Sequence, residues 1–399
     1  MYSYDYLKKI SKFPHRGSCS ENEKKASKSI YNEMKALGFE NILMQKFKTP
    51  KDCMYNLPLQ FGLLILISGV FLLLNIHSLY LSLFLLIPIL MIVFEANGSL
   101  VEINFFPKYD SQNIIAYDDY DDNKPTVVIT GHYDTQKGSL LFSPKFEDKL
   151  QKLFNIAYLG LITIIVSIII STILDRVILP IIILDLIGII ITTIVIVFIL
   201  YCNITGKYVN GANDNATGSA LTMALSRHFK ENKFSDDDFN MIFLLTGSEE
   251  NGSKGMKAFL KKWGKALDKD NTYFIVIDNV GAGNITYLDG EGMIIKKHYN
   301  RFLKDLASKF KKEYDIRYNE KLLLPTDSLP VINQGFKSIS FLGKDEFGNI
   351  ENYHWYTDTL DKISSKHMEN IENFFIDYIN LLFEKLSNKS NNRIFNNER

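Results

Sequence analysis

The chain has 399 residues, room for one large domain or two ordinary ones. Lysine plus arginine and aspartate plus glutamate both number 45, and this zero net charge argues against a nucleic-acid partner and an acidic tail. The 3 cysteines form no CxxC pair, which excludes a zinc ribbon or a disulfide framework.

The N-terminus, "MYSYDYLKKISKFPHRGS", has no apolar h-region, so no cleaved signal peptide is expected. In "CSENEKKASKSIYNEMKALG", Ser20 stands three residues before Glu23, the spacing of a capping box. Ala26, Ile30, Met34 and Leu37 then recur at helical spacing, and Gly38 stops the helix. "NILMQKF" follows as a strand.

Residues 57–94 are apolar over about twice the roughly 20 residues of one bilayer crossing. The polar "NIHS" (Asn75–Ser78) makes a turn between two spans. Residues 153–202 repeat the pattern, with Asp175 and Arg176 at the turn. Two helical hairpins, four spans in all, are expected, because a buried core helix is rarely apolar on every face for so long. Hairpins return the chain to its starting side. Lys46, Lys48, Lys51, Lys145, Lys149, Lys152 and Lys207 flank the blocks there, whereas the turns carry Arg176 against Asp175. This bias places the polar domain in the cytoplasm of a multi-pass cell-membrane protein. Asp185, inside the fourth span, either marks a functional path or, the plainer reading, packs on a neighbouring helix. Cys53 and Cys202 flank the blocks and are either acylation sites or, more simply, ordinary thiols.

The remaining strands are "QNIIAYD", "TVVITG", "MIFLLT", "YFIVID" and "KSISFLG". Between several of them lie the helices "GSALTMALSRHFK", "SKGMKAFLKKW" and "RFLKDLASKFKK", and "MENIENFFIDYINLLFEKL" closes the fold. Strands alternating with helices predict an α/β domain of three layers, αβα, with a mixed, largely parallel central sheet. The tail, 389–399, reads as disordered.

In such sheets, sites form where strands end and helices begin. "TVVITG" runs into His132 and Asp134, "MIFLLTGS" into Glu249 and Glu250, and "YFIVI" into Asp278. "GANDNATG" holds Asp214 before a helix, and "ENYHWYTDT" holds His354 in a loop. These oxygen and nitrogen donors suit zinc. Three carboxylates with two neutral imidazoles balance two divalent ions and a bridging hydroxide, and a carboxylate left over can serve as general base.

The order "HYD", "GANDNATG", "EEN", "ID", "YHWYTDTLDKI" resembles the co-catalytic di-zinc aminopeptidases of metallopeptidase clan MH. Bacterial leucyl aminopeptidase, aminopeptidase Y, glutamate carboxypeptidase and glutaminyl cyclase belong to it. The opening "RGSCSENEKKASKSIYNEMKALGFENI" also looks like that family's first helix and strand. The resemblance implies two Zn2+ per chain: His132 and Asp278 on one, Glu250 and His354 on the other, and Asp214 bridging both, with a cis bond from Asp214 to Asn215. It makes Glu249 the general base, Asp134 the acceptor of the spare His132 N–H, and Tyr353 an oxyanion donor or a packing residue. Asp327 in "PTDSLPVINQGF" matches a segment near substrate, although Ser328 replaces a usual histidine. Asn213 replaces a common aspartate one position before the bridge. Asp358 and Asp361 are expected to fix the loop after His354. His15, His77, His228, His298 and His367 lack motif partners and read as surface or packing residues.

The implied function is a membrane-bound zinc aminopeptidase that acts on peptides. Residues 1–56, 98–152 and 203–388 build its catalytic domain, and 57–97 and 153–202 are inserted transmembrane hairpins. A glutaminyl-cyclase-like acyl transferase, a carboxypeptidase and a non-catalytic membrane receptor or scaffold stay open. The partners are the peptide and the lipid bilayer; the sequence does not fix an oligomeric state.

Overall fold

The computed structural model describes residues 2–76, 79–144, 149–232, 239–292, 295–319 and 324–397. His77, Ser78 and Lys145, which belong to the expected turn and flanking charges, lie outside the described residues.

Eight strands form the central sheet in the order β1-β2-β6-β3-β7-β12-β8-β11. They are β1 (Asn41–Pro50), β2 (Lys108–Tyr117), β3 (Thr126–His132), β6 (Asn240–Thr246), β7 (Thr272–Asp278), β8 (Asn284–Leu288), β11 (Arg317–Asn319) and β12 (Lys337–Lys344). Two-residue strands pair outside it: β4 (Lys137–Gly138) with β5 (Lys207–Tyr208), and β9 (Gly290–Glu291) with β10 (Lys297–His298). Strands β6, β3, β7 and β12 run parallel at the centre, and β1, β2 and β8 join antiparallel. The sheet is therefore mixed and largely parallel, as expected.

Side chains alternate across it, which produces the three layers. Val127 and Ile129 of β3, Phe243 and Leu245 of β6, and Tyr273, Ile275 and Ile277 of β7 face one core. That core is closed by α1 (Ser3–Ile10), α2 (Glu21–Ala36), α7 (Thr217–Glu231), α9 (Arg301–Ala307) and α11 (Ser365–Asn397). Val128, Ile242, Leu244 and Phe274 face the other, under α8 (Lys254–Trp263) and α10 (Ser328–Asn333). Apolar burial on both faces is why these strands read as short, nearly continuous apolar runs.

Four further helices are long and apolar enough to cross a membrane: α3 (Cys53–Leu73), α4 (Leu79–Ala96), α5 (Leu150–Leu174) and α6 (Leu179–Thr205). They pair as the two expected hairpins, each leaving and re-entering the α/β body. Small residues let α5 and α6 approach: a Cβ on Gly188 would lie 2.4 Å from Thr163 Oγ1, and one on Gly160 would lie 2.7 Å from Ile191 Cγ2. Asp185 is fully buried against Gly69 of α3, in keeping with the packing reading.

Two details differ from expectation, and a third falls on the plainer of two readings. Ser20 accepts from Glu23 N at 3.1 Å, but the Glu23 carboxylate returns to Cys19 N (2.7 Å) rather than to Ser20 N, because it is drawn inward to the hydroxyls of Ser111 and Ser248. Cys53 and Cys202 are buried (2% and 0% exposed), so neither thiol is presented for acylation. Residues 389–397 of the tail expected to be disordered continue α11 as helix, since neither glycine nor proline interrupts it.

Candidate metal centre

The centre lies at the C-terminal ends of the parallel strands. His132 ends β3 and Asp278 ends β7. The turn after β6 delivers Glu249 and Glu250. Asp214 sits in the segment 212–216 that enters α7, where the peptide bond from Asp214 to Asn215 is cis. Gly218 in the first turn of α7 packs flush on β7; a Cβ there would lie 2.3 Å from Ile277 O. This close approach brings Asp214 in between the strand ends.

Two groups of ligand atoms result, His132 with Asp214 and Asp278, and Asp214 with Glu250 and His354. They share Asp214. His132 Nε2 lies 3.4 Å from Asp214 Oδ1 and 3.4 Å from Asp278 Oδ1. His354 Nε2 lies 3.0 Å from Asp214 Oδ2 and 3.1 Å from Glu250 Oε2. The five expected ligands therefore come together. All are buried, and among the described residues lining the small cavity above them there is no lysine or arginine.

Charges so enclosed disturb one another. Burial disfavours the charged imidazole of His354, but Glu250 and Asp214 overcome it and push the ring up to about 10. Burial, aided by Asp214, pushes the Glu250 carboxyl up to about 7. Burial also pushes Glu249 well above the carboxylate range, with Asp327, Glu250 and Asp278 adding to it. Asp214 Oδ2 and Glu250 Oε1 make no hydrogen bond. A buried, acidic cluster with spare oxygens, two imidazole Nε2 atoms and no lysine or arginine in its described lining fits a pair of zinc ions.

The supporting residues act mainly on the backbone. Asp134 Oδ1 accepts from Glu249 N at 2.9 Å, and its Oδ2 from Glu250 N at 3.2 Å and Ser18 Oγ at 2.6 Å. Its Oδ1 stands 3.5 Å from His132 Nδ1, longer than a good hydrogen bond. Asp134 therefore holds the glutamate pair more firmly than it holds the histidine. Asp358 accepts from Asn213 N (2.6 Å) and Asp214 N (3.0 Å), so it fixes the Asp214 segment as well as following His354. Arg16, fully buried, donates to Tyr133 O, Asn210 O and Gly211 O and ties the His132 and Asp214 segments together. Sequence reasoning gave Arg16 no role; its signal was the "RGS" that opens the family-like stretch. Gln136 and Asn279, bonded to Glu250 and Asp278, were also missed.

Of the other expected residues, Glu249 and Tyr353 line the cavity, and the Tyr353 ring stacks on His354 with centroids 3.9 Å apart. Asp327 does not line it. Its Oδ2 accepts from Thr246 Oγ1 at 2.5 Å, and Leu324, Pro325 and Thr326 form that wall instead. The turn into α10 thus directs Asp327 inward, away from the cavity. His15, His228, His298 and His367 stand outside the centre.

Fold and centre resemble those of the co-catalytic zinc exopeptidases, whose motifs the sequence carries. Residues 197–379, which hold four of the five ligands and Glu249, match the model of Peptidase family M28. No curated protein sequence matches the chain. Among solved structures, LapB from Legionella pneumophila is 12% identical with a TM-score of 0.56, over 96% of this chain and 71% of that one. BSAP, a zinc aminopeptidase from Bacillus subtilis, is 13% identical with a TM-score of 0.55, over 95% of this chain and 94% of that one. A glutaminyl cyclase from an Acidobacteriales bacterium is 13% identical with a TM-score of 0.55, over 96% and 94%.

Proposed function

We propose that the chain is a membrane-bound zinc aminopeptidase that removes N-terminal residues from peptides. The observation that carries this reading is the pair of three-ligand groups sharing Asp214, with Glu249 beside them. His132 and Asp278 would hold one zinc, Glu250 and His354 the other, and Asp214 both. When bound, the pair would polarise the scissile carbonyl and a water molecule.

Glu249 is then the general base. Its Oε2 stands 3.9 Å from His132 Nε2, facing the shared centre, while its Oε1 accepts from Ser253 Oγ at 3.2 Å. Oε2 takes the proton from the water and returns it to the leaving amine. Asp134 keeps the carboxylate aimed by fixing the main chain of Glu249 and Glu250. Tyr353, over His354 and on the cavity wall, is placed to donate its hydroxyl to the oxyanion. Leu324, Pro325, Leu342 and Ile350 give the substrate side of the cavity an apolar surface.

A cyclase-like acyl transfer on one zinc is the second reading, kept by the likeness to a glutaminyl cyclase. The test is hydrolysis of a panel of aminoacyl chromogenic substrates by detergent-purified protein. It is run with and without chelator, with free and acetylated amines, beside Glu249→Gln. Hydrolysis that needs both the free amine and the metal is expected, with kcat of Glu249→Gln reduced by ~10²-fold or more at unchanged zinc content. Full activity in that variant would remove Glu249 from the chemistry, and cleavage of acetylated substrates would remove the aminopeptidase assignment.

A further inference from the structure

The turn that carries Glu249 and Glu250 is bolted to the first membrane hairpin. Gly252 takes a positive φ of 89°, and a Cβ there would lie 2.3 Å from Oε1 of Glu95, in the last turn of α4. The absent side chain leaves room for that carboxylate to lie on the turn. Glu95 also pairs with Lys254 and Lys257, at 3.2 and 3.3 Å from their Nζ atoms. Glu102, in the segment after α4, meets the same two amines at 3.2 and 3.6 Å. Both lysine side chains are almost fully buried, 3% and 2% exposed. On the other side of the turn, Asn251 Oδ1 accepts from Cys53 N, the first residue of α3, at 3.0 Å, and its Nδ2 donates to Pro50 O at 3.0 Å.

These contacts lead directly to the reacting carboxylate. Lys254 N donates to Ser248 O, and Gly252 N and Ser253 N both donate to Glu249 O at 2.7 Å, closing the turn into a rigid loop. Ser253, between Gly252 and Lys254, donates to Glu249 Oε1. This four-charge cluster, with its lysines buried and its glutamates half-buried, resists displacement, because separating the partners leaves the buried amines uncompensated.

We infer that the first membrane hairpin is a working part of the site, and that Glu95 is a positioning residue that sets Glu249 and Glu250 through Gly252, Ser253 and Lys254. The hairpin is then more than an anchor. Glu102 supplies charge to the same lysines without touching the turn, so the two glutamates have separable roles. The kinetic arm of the test rests on the exopeptidase reading; the metal arm does not.

The experiment compares wild type, Glu95→Gln and Glu102→Gln as full-length protein in lipid nanodiscs. It measures kcat and KM on an aminoacyl substrate, the rate of zinc loss to a chelator, and the unfolding midpoint. For Glu95→Gln, kcat is expected to fall and zinc loss to accelerate by ~10-fold or more, with KM changed by less than about threefold. Glu102→Gln is expected to lower the unfolding midpoint by as much while changing kcat and zinc loss by less than about threefold. If Glu95→Gln does not fold, Glu95→Gln/Lys257→Met, which removes one charge of each sign, carries the same expectation. Unaltered kcat and zinc retention in Glu95→Gln, or losses in both variants that simply follow the midpoint, would overturn the inference. A wild type inactive on every aminoacyl substrate would refute the exopeptidase reading, and zinc retention would still decide the role of Glu95.

Discussion

Carboxylates at this centre differ in role because they differ in partners. Glu250 and Asp214 keep oxygens without hydrogen bonds, free to ligate a cation, whereas both oxygens of Asp134 are occupied by N–H and O–H donors. Glu23 is a third kind: a buried carboxyl beneath the site, accepting from Cys19 N, Ser111 and Ser248. Burial, with Asp134 adding to it, raises Glu23 to about 8 from an ordinary 4.5. A carboxyl raised on folding favours the folded state fully below its ordinary value, and that advantage is lost as pH climbs through about 8. Glu23→Gln cannot ionise and lacks this loss. The unfolding midpoint of Glu23→Gln relative to wild type is therefore expected to rise between pH 5 and pH 9, measured by thermal scans of both proteins in one detergent. A difference that stays flat, or falls, contradicts the assignment.

At the scale of elements, His132, Glu250 and Asp278 were legible because each follows an apolar strand, and Asp214 and His354 because each sits in a short polar motif, so the five could be named before they were seen together. The contacts that aim them were not. Arg16 acts on carbonyls of residues 133, 210 and 211, and Asp134 on amides 115 and 116 positions away; backbone partners leave no trace in side-chain pattern. The inward direction of Asp327 was hidden for the same reason, since only the turn into α10 shows which way it points. The hairpins were legible by length and apolarity alone, whereas their seams depend on glycines that composition does not single out. Gly188→Leu forces a side chain into Thr163 of α5 and the carbonyl of Gly160. It is expected to destabilise the bundle by about 1–3 kcal/mol, read as a lowered unfolding midpoint in detergent. An unchanged midpoint would mean that α5 and α6 do not pack at that seam.

For the whole molecule, the four helices long and apolar enough to cross a membrane and the α/β body are interlocked. Tyr55 of α3 donates its hydroxyl to Lys137 O, and Asn203 of α6 bonds Asn56 of α3 and Lys137. Phe142, between the two hairpins in sequence, packs edge-on to His354 with ring centroids 4.4 Å apart. The lysines flanking the hairpins on the side of the body lead us to place that body in the cytoplasm. In sealed right-side-out vesicles it is then expected to resist added protease and to be cleaved after permeabilisation; cleavage in intact vesicles would reverse the orientation. In the proposed function Asp214 serves two cations at once, because it belongs to both groups of ligand atoms. The most direct test is therefore the zinc content per chain of purified wild type and Asp214→Ala, by elemental mass spectrometry with protein quantified in the same sample. Two zinc ions in the wild type, with both sites weakened in Asp214→Ala, is the result expected; a wild type that retains no zinc, or an Asp214→Ala that retains both ions as tightly, would contradict it.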